Sequence, residues 1–180
     1  RHAESTSNYV SYHKELENKL YLRNAALSPY GMDSVVYWRQ DKLQKMAKPD
    51  FIFSSPIKRA IQTCLMTHNL EELKQPVYLT PLLMEFCKDE DCAGVTIEEM
   101  KVDADLMTYH NSSKLDFSTY FWTGNPNESH EGEWWNVDFR WALADRIYKF
   151  KEILKDNKFT DKIVSIYAHG GVIGELLDTG

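Results

Sequence analysis

Two histidines and two arginines carry the chemistry available to this chain: Arg1 and His2 at its start, Arg59 a third of the way along, and His169 near its end. Gathered in one crevice, these cationic groups would be costly without an anion between them, and a phosphate group suits guanidinium and imidazole donors best. A neutral imidazole is also a competent nucleophile near neutral pH once a hydrogen bond fixes its other nitrogen. The arginines would then neutralise charge on the phosphoryl oxygens as a transition state forms. An isolated histidine carries no such weight, so His13, His68, His110 and His130 are assigned no role.

The elements that would position these groups are readable around them. Asp50 to Ser55 (DFIFSS) has strand character, and Pro56 sits where a first helical turn tolerates it. Ile57, Ala60, Ile61, Cys64 and Leu65 then recur at three-to-four spacing, which predicts a helix with one apolar face. Arg59 falls in the first turn of that helix, where backbone N–H groups and the helix dipole favour an anion.

Lys162 to Tyr167 (KIVSIY) repeats the arrangement, followed by Ala168, His169 and the turn-forming Gly170 and Gly171, then a helix over Val172 to Leu177. Two more helices are predicted. One follows Ser28, Pro29 and Tyr30, with Met32, Val35, Val36, Leu43 and Met46 on a face. The other carries Phe139, Leu143, Ile147, Phe150 and Leu154. Strands alternating with helices imply an α/β fold with a mostly parallel sheet, whose ligands bind beyond the carboxyl ends of the strands. Arg1 and His2 would form a third such end if a strand preceded them.

Three strings carry a family resemblance. RHAES at 1–5 with Asn8 after it, SSPIKRAIQT at 54–63 and AHGGVI at 168–173 together resemble, in order, the motifs of the histidine phosphatase superfamily, the phosphoglycerate mutase-like fold. Leu27, Ser28 and Gly31 fit a lesser motif between the first two, and Gly132, Glu133 and the Arg140 region fit another before the last. The resemblance spans essentially the whole chain. It implies a three-layer α/β/α architecture in one domain over residues 1–180, with a cap-like insert at about 86–135. First and last strands are expected outside the given sequence.

Residue by residue, the resemblance implies that His2 is the nucleophile and that Arg1, Arg59 and His169 hold the transferring phosphoryl group. Asn8 would be a secondary phosphate contact. A general acid is expected between the second and third motifs, and Glu85 in PLLMEF fits it; Asp89, Glu90 and Glu133 compete, with Glu133 a possible further site residue. Ala3 stands where the family pattern most often has glycine, and CKDEDCAGV replaces the glycines and tryptophan that often follow the acid.

Composition bounds the partners. At 180 residues and 43% hydrophobic content the chain can bury one sizeable core, and no apolar run approaches the ~20 residues of a membrane span. The net charge of −6 is uneven: from Glu85 to Asp138 thirteen acidic residues face three lysines, which disfavours nucleic acid and a very highly charged substrate. A solvated acidic face explains the same count. Cys64, Cys87 and Cys92 are too sparse for a disulfide scaffold and read as three thiols in a reducing, cytoplasmic setting. No pair of histidines or cysteines has metal-ligand spacing, so neither metal nor other cofactor is expected. Asn111 and Asn127 begin glycosylation-type triplets that arise often by chance.

The expected activity is hydrolysis of a phosphate ester, on a small molecule or a phosphoprotein, through a phosphohistidine and without metal. A cofactor-dependent phosphoglycerate mutase shares such a site and is the alternative, but the basic, tyrosine-bearing insert usual in mutases is not found after the second motif. A pseudo-phosphatase that binds phosphorylated partners without turnover is the third reading. The aromatic-rich insert, with Tyr109, Tyr120, Phe121, Trp122, Trp134 and Trp135, fits a substrate-closing cap and a satellite core equally well.

Overall fold

The computed structural model describes residues 1–13, 22–42, 45–68, 76–86, 92–109, 112–118 and 142–178. Helix α1 spans Thr6–His13 and α2 Pro29–Asp41; strand β1 spans Phe51–Ser54 and α3 Lys58–Thr67; β2 is Val77–Leu79. Short helices α4 (Ile97–Lys101) and α5 (Ala104–Met107) precede β3 (Leu115–Asp116); α6 (Leu143–Leu154), β4 (Val164–Tyr167) and α7 (Gly170–Leu177) complete the order. The four strands lie in the order β3-β2-β1-β4, and every pair is parallel. This is the α/β sheet expected.

Alternation along the strands divides the core into two layers. Ile52, Val77 and Leu79 turn toward Ile61, Cys64 and Leu65 of α3, and Ile97, Met100 and Leu106 join them. On the other face Phe53, Ile166 and Ala168 meet Ile147, Phe150 and Ile153 of α6 and Val172 of α7. Helices therefore cover both faces, as a parallel sheet buried on each side requires. The described part of the insert adds β3 to the sheet edge, pairing Val77 with Leu115, and buries α4 and α5 in the main core. Lys58 fastens α5 to α3 through Asp103 at 2.6 Å and Asp105 at 3.2 Å. Residues 119–141, with Tyr120, Phe121, Trp122, Trp134, Trp135 and Phe139, lie outside the described residues, as do Asn111 and Asn127.

Some boundaries differ from the pattern in the sequence. Helix α3 begins at Lys58 with Ile57 as its extended N-cap, so Pro56 belongs to the turn rather than to the first helical turn. Helix α2 ends at Asp41; Met46 lies beyond it, 65% exposed, and Val36 is exposed, leaving Val35 and Gly31 as its buried positions. Leu43 is outside the described residues. The cysteines also differ from expectation. Cys92 is disulfide-bonded while Cys64 is free and buried, so the reading of three thiols is corrected; Cys87 lies outside the described residues.

The first loop is built into this frame by buried polar groups. The Ala3 N–H donates to Thr63 Oγ1 at 3.1 Å, and the Leu27 N–H donates to Gln62 Oε1 at 2.8 Å, so two polar residues of α3 hold both segments. The Ser28 N–H donates to the Glu4 carbonyl, and the Ser28 hydroxyl donates to Glu4 Oε1 at 2.6 Å while accepting from the Gly31 N–H as the cap of α2. A side chain at Gly31 would run into the Glu4 carbonyl. Glycine is required there by close approach.

Candidate active site

Three chain segments meet at the carboxyl end of the central strands. Strand β1 ends at Ser54, and one residue later Ser55 donates its N–H to the Tyr167 carbonyl at 2.8 Å. The next carbonyl along, Ala168, points to the opposite side of its strand and accepts the His2 N–H at 2.9 Å. His2 and His169 are thereby brought side by side, with ring centroids 4.9 Å apart. Arg59 reaches them from the first turn of α3, as its place after the strand implied.

Each imidazole is held by one nitrogen. His2 Nδ1 lies 2.6 Å from the Ala3 carbonyl, which accepts only from an N–H, so Nδ1 carries the proton and Nε2 keeps its lone pair. Arg59 donates its Nε–H to that Nε2 at 3.3 Å. His169 Nε2 lies 2.9 Å from the Ser55 hydroxyl, which also accepts from the Ile57 N–H. His169 Nδ1 makes no hydrogen bond within the described protein and faces Glu85 Oε2 at 3.6 Å.

Burial sets the charge state. His2 is 7% exposed, and burial followed by the Arg59 charge pushes its pKa down to about 3. His169 is fully buried and is held well below the ordinary histidine value, again by burial first and then by Arg59 and His2. Both rings are therefore neutral at physiological pH, and His2 is nucleophilic at Nε2 without losing a proton.

Arg1 packs near Gly170 and lines an open cavity of about 260 Å³ with His2, Ala3, Glu4 and Asn8. Asn8 uses its Oδ1 to accept from the Ser5 N–H and hydroxyl, leaving its NH₂ as the donor it can offer to an anion. Glu4 is engaged with Ser28, which removes it as a base for His2. Glu85 follows the 3-10 turn Pro81–Leu83 and keeps one oxygen on the Phe86 N–H at 3.0 Å. Asp89, Glu90 and Glu133 lie outside the described residues, as do Gly132 and Arg140. The structure thus places Arg1, His2, Asn8, Arg59, Glu85 and His169 together.

Donor atoms of His2, Glu85 and His169 come within 4.8 Å of one another, the spacing of a metal site among the described residues. Arg59 against His2, and Arg1 beside it, oppose a dication there and favour an anion. Three participants were missed in the sequence. Ser55 orients His169; Cys92 lies 3.9 Å from Arg59 Nη2; and Arg146, 1% exposed, reaches the carbonyls just before Glu85. Arg146 carried a signal, because it falls three residues after Leu143 on the apolar face of its helix.

The fold and this cluster of histidines and arginines define an α/β protein with a cationic cleft at its strand ends. The histidine phosphatase superfamily, branch 1, matches residues 1–179, and the chain belongs to that family. No curated protein matches it. Among solved structures it is similar to the ecdysone phosphate phosphatase of Bombix mori, solved with tungstate, at 14% identity and TM-score 0.60, covering 98% of this chain and 73% of that one. It is similar also to a protein assigned as an alpha-ribazole-5'-P phosphatase from Escherichia coli, at 21% identity and TM-score 0.55 over 98% and 74% of the two chains. The alpha-ribazole phosphatase of Shigella flexneri follows at 20% identity and TM-score 0.52, over 96% and 73%. These likenesses establish the phosphoglycerate mutase-like fold.

Proposed function

We propose that the protein is a phosphoric monoester hydrolase that works through a phosphohistidine on His2 and needs no metal. The observation that carries this reading is the neutral His2 imidazole, fixed through Nδ1 on the Ala3 carbonyl, with Nε2 among the arginines. Family membership and the phosphatases among its structural likenesses support it. In the first step Nε2 attacks phosphorus while Arg1, Arg59 and His169 neutralise the equatorial oxygens. Glu85 gives a proton to the departing alkoxide, then takes one from the water that cleaves the phosphorus–nitrogen bond. The free imidazole and inorganic phosphate result.

The substrate is a phosphorylated small molecule or phosphoprotein rather than nucleic acid, given the acidic middle of the chain. No helix among the described residues is long and apolar enough to cross a membrane. The disulfide at Cys92 weighs against the cytoplasmic location that free thiols suggested.

A panel of phosphate esters, assayed for phosphate release with and without a chelator, tests the proposal. Turnover is expected in both conditions and is lost in His2→Ala. Turnover that survives that substitution, or that stops with chelator, contradicts it. Transfer of phosphate between positions of a phosphoglycerate in place of release would instead identify a mutase, and binding without turnover a pseudo-phosphatase.

A further inference from the structure

Behind the turn that carries Glu85 lies a buried cation that the reaction as written does not use. Arg146 sits in α6 with 1% of its surface exposed. Its Nη1 donates to the carbonyls of Pro81 at 3.3 Å, Leu82 at 2.9 Å and Met84 at 2.9 Å. The Pro81 carbonyl also accepts the Met84 N–H within the turn, whereas carbonyls such as those of Leu82 and Met84, at the end of a short helical turn, lack partners inside it. The residue after Met84 is Glu85.

Burying a guanidinium costs several kcal/mol before its partners are counted, and apolar side chains of similar size fill such a space at least as well. Packing alone therefore does not explain a cation here. Its charge pulls in a definite direction. Burial draws Arg146 down to about 10, still charged at neutral pH, while the Glu85 carboxylate opposes that fall. Arg146 also helps to keep His169 neutral. One guanidinium is thus within electrostatic reach of the two groups that face each other at 3.6 Å across the site.

We infer that Arg146 is a positioning residue that locks the Pro81–Met84 turn and so sets the Glu85 carboxyl against the leaving-group oxygen. The inference rests on the reading of Glu85 as the general acid. Release of the turn leaves His2, Arg1 and Arg59 in place but lets Glu85 wander from the departing oxygen, and a misplacement of about 1 Å is enough to cost a large factor in rate. The loss then depends on the substrate. An ester whose alcohol leaves well needs little protonation, whereas a poorer leaving group depends on the acid.

The test compares kcat/KM for p-nitrophenyl phosphate and phenyl phosphate in the wild type, Glu85→Gln, Arg146→Met and Arg146→Lys. The ratio in favour of the nitrophenyl ester is expected to rise at least tenfold in Glu85→Gln and in Arg146→Met. A smaller rise is expected in Arg146→Lys, whose single ammonium keeps the charge without the guanidinium's reach. A folded Arg146→Met that slows both esters equally, beside a Glu85→Gln that does not, overturns the inference while leaving the acid intact. Where Arg146→Met does not fold, the lysine variant decides, and an unchanged ratio in it overturns the inference. A ratio unmoved in Glu85→Gln removes the acid itself, and Arg146 loses the role with it.

Discussion

The Nε–H of Arg59 points at Nε2 of His2 from 3.3 Å, so one guanidinium engages the lone pair of the proposed nucleophile and, second to burial, keeps that ring from taking a proton. When an anion enters, the same guanidinium can turn its donors to the phosphoryl oxygens, freeing Nε2 to attack. The proposed nucleophile and charge stabiliser are coupled through a single contact.

Removing that group takes from His2 the guanidinium at its Nε2. Arg59→Ala is expected to lower kcat/KM for p-nitrophenyl phosphate by about 2–4 kcal/mol, roughly thirtyfold to a thousandfold. Arg59→Lys should recover only part of the loss, because an ammonium cannot present two donors in a fixed plane. Steady-state kinetics on the two variants check this, and a lysine variant equal to wild type speaks against a planar, two-donor role.

Ser55 supplies the hydroxyl that aims His169 at the site, and the pair spans 114 positions of sequence. Ser55→Ala strands a buried ring nitrogen, at a cost of about 1–3 kcal/mol in stability. Activity should fall roughly tenfold with KM for phosphate ester raised, since the ring is no longer held toward the anion. Ser55→Thr, which keeps the hydroxyl, is expected to retain more activity than the alanine variant in the same assay.

Gly31 meets the Glu4 carbonyl so closely that a methyl group has no room. Gly31→Ala is expected to destabilise the fold by about 1–3 kcal/mol and, because Glu4 lies two residues from His2, to lower kcat as well. Urea unfolding with parallel kinetics measures both. An alanine variant with unchanged midpoint and unchanged kcat would show that the contact is not needed.

Acid should unfold the protein early. His2, His68 and His169 are all held below the ordinary value of 6.5 by burial, His2 at about 3 and His68 at about 4. The unfolded chain therefore takes up protons first as pH falls through about 6.5, while the folded protein does not. Stability is full above that value and falls progressively toward pH 4. Urea midpoints at pH 7.5, 6 and 5 test the sign; inorganic phosphate should soften the decline, because a bound anion favours protonated imidazole.

Much of this was legible because the chemistry sits at elements with strong local patterns. The runs DFIFSS and KIVSIY end where Arg59 and His169 begin their work, and the apolar spacing of α3 placed Arg59 in a first turn before any contact was known. What could not be read depends on contacts across the chain. The hydroxyl of Ser55 means nothing until β1 and β4 pair, Arg146 shows its place on an apolar helix face but not its partners until the Pro81–Leu83 turn meets it, and β3 is two residues long with no period to detect. Cys92 looked like a thiol because three cysteines give no pairing by count alone.

The central claim is the covalent step on His2. Rapid mixing of enzyme with a phosphate ester labelled in its phosphoryl group, followed by alkaline quench and peptide mapping, tests it most directly. An acid-labile, alkali-stable phosphate on the peptide that contains His2, absent from His2→Ala and decaying at a rate consistent with turnover, is the expected result. Full turnover with no label on that peptide, at times shorter than one catalytic cycle, would contradict the account.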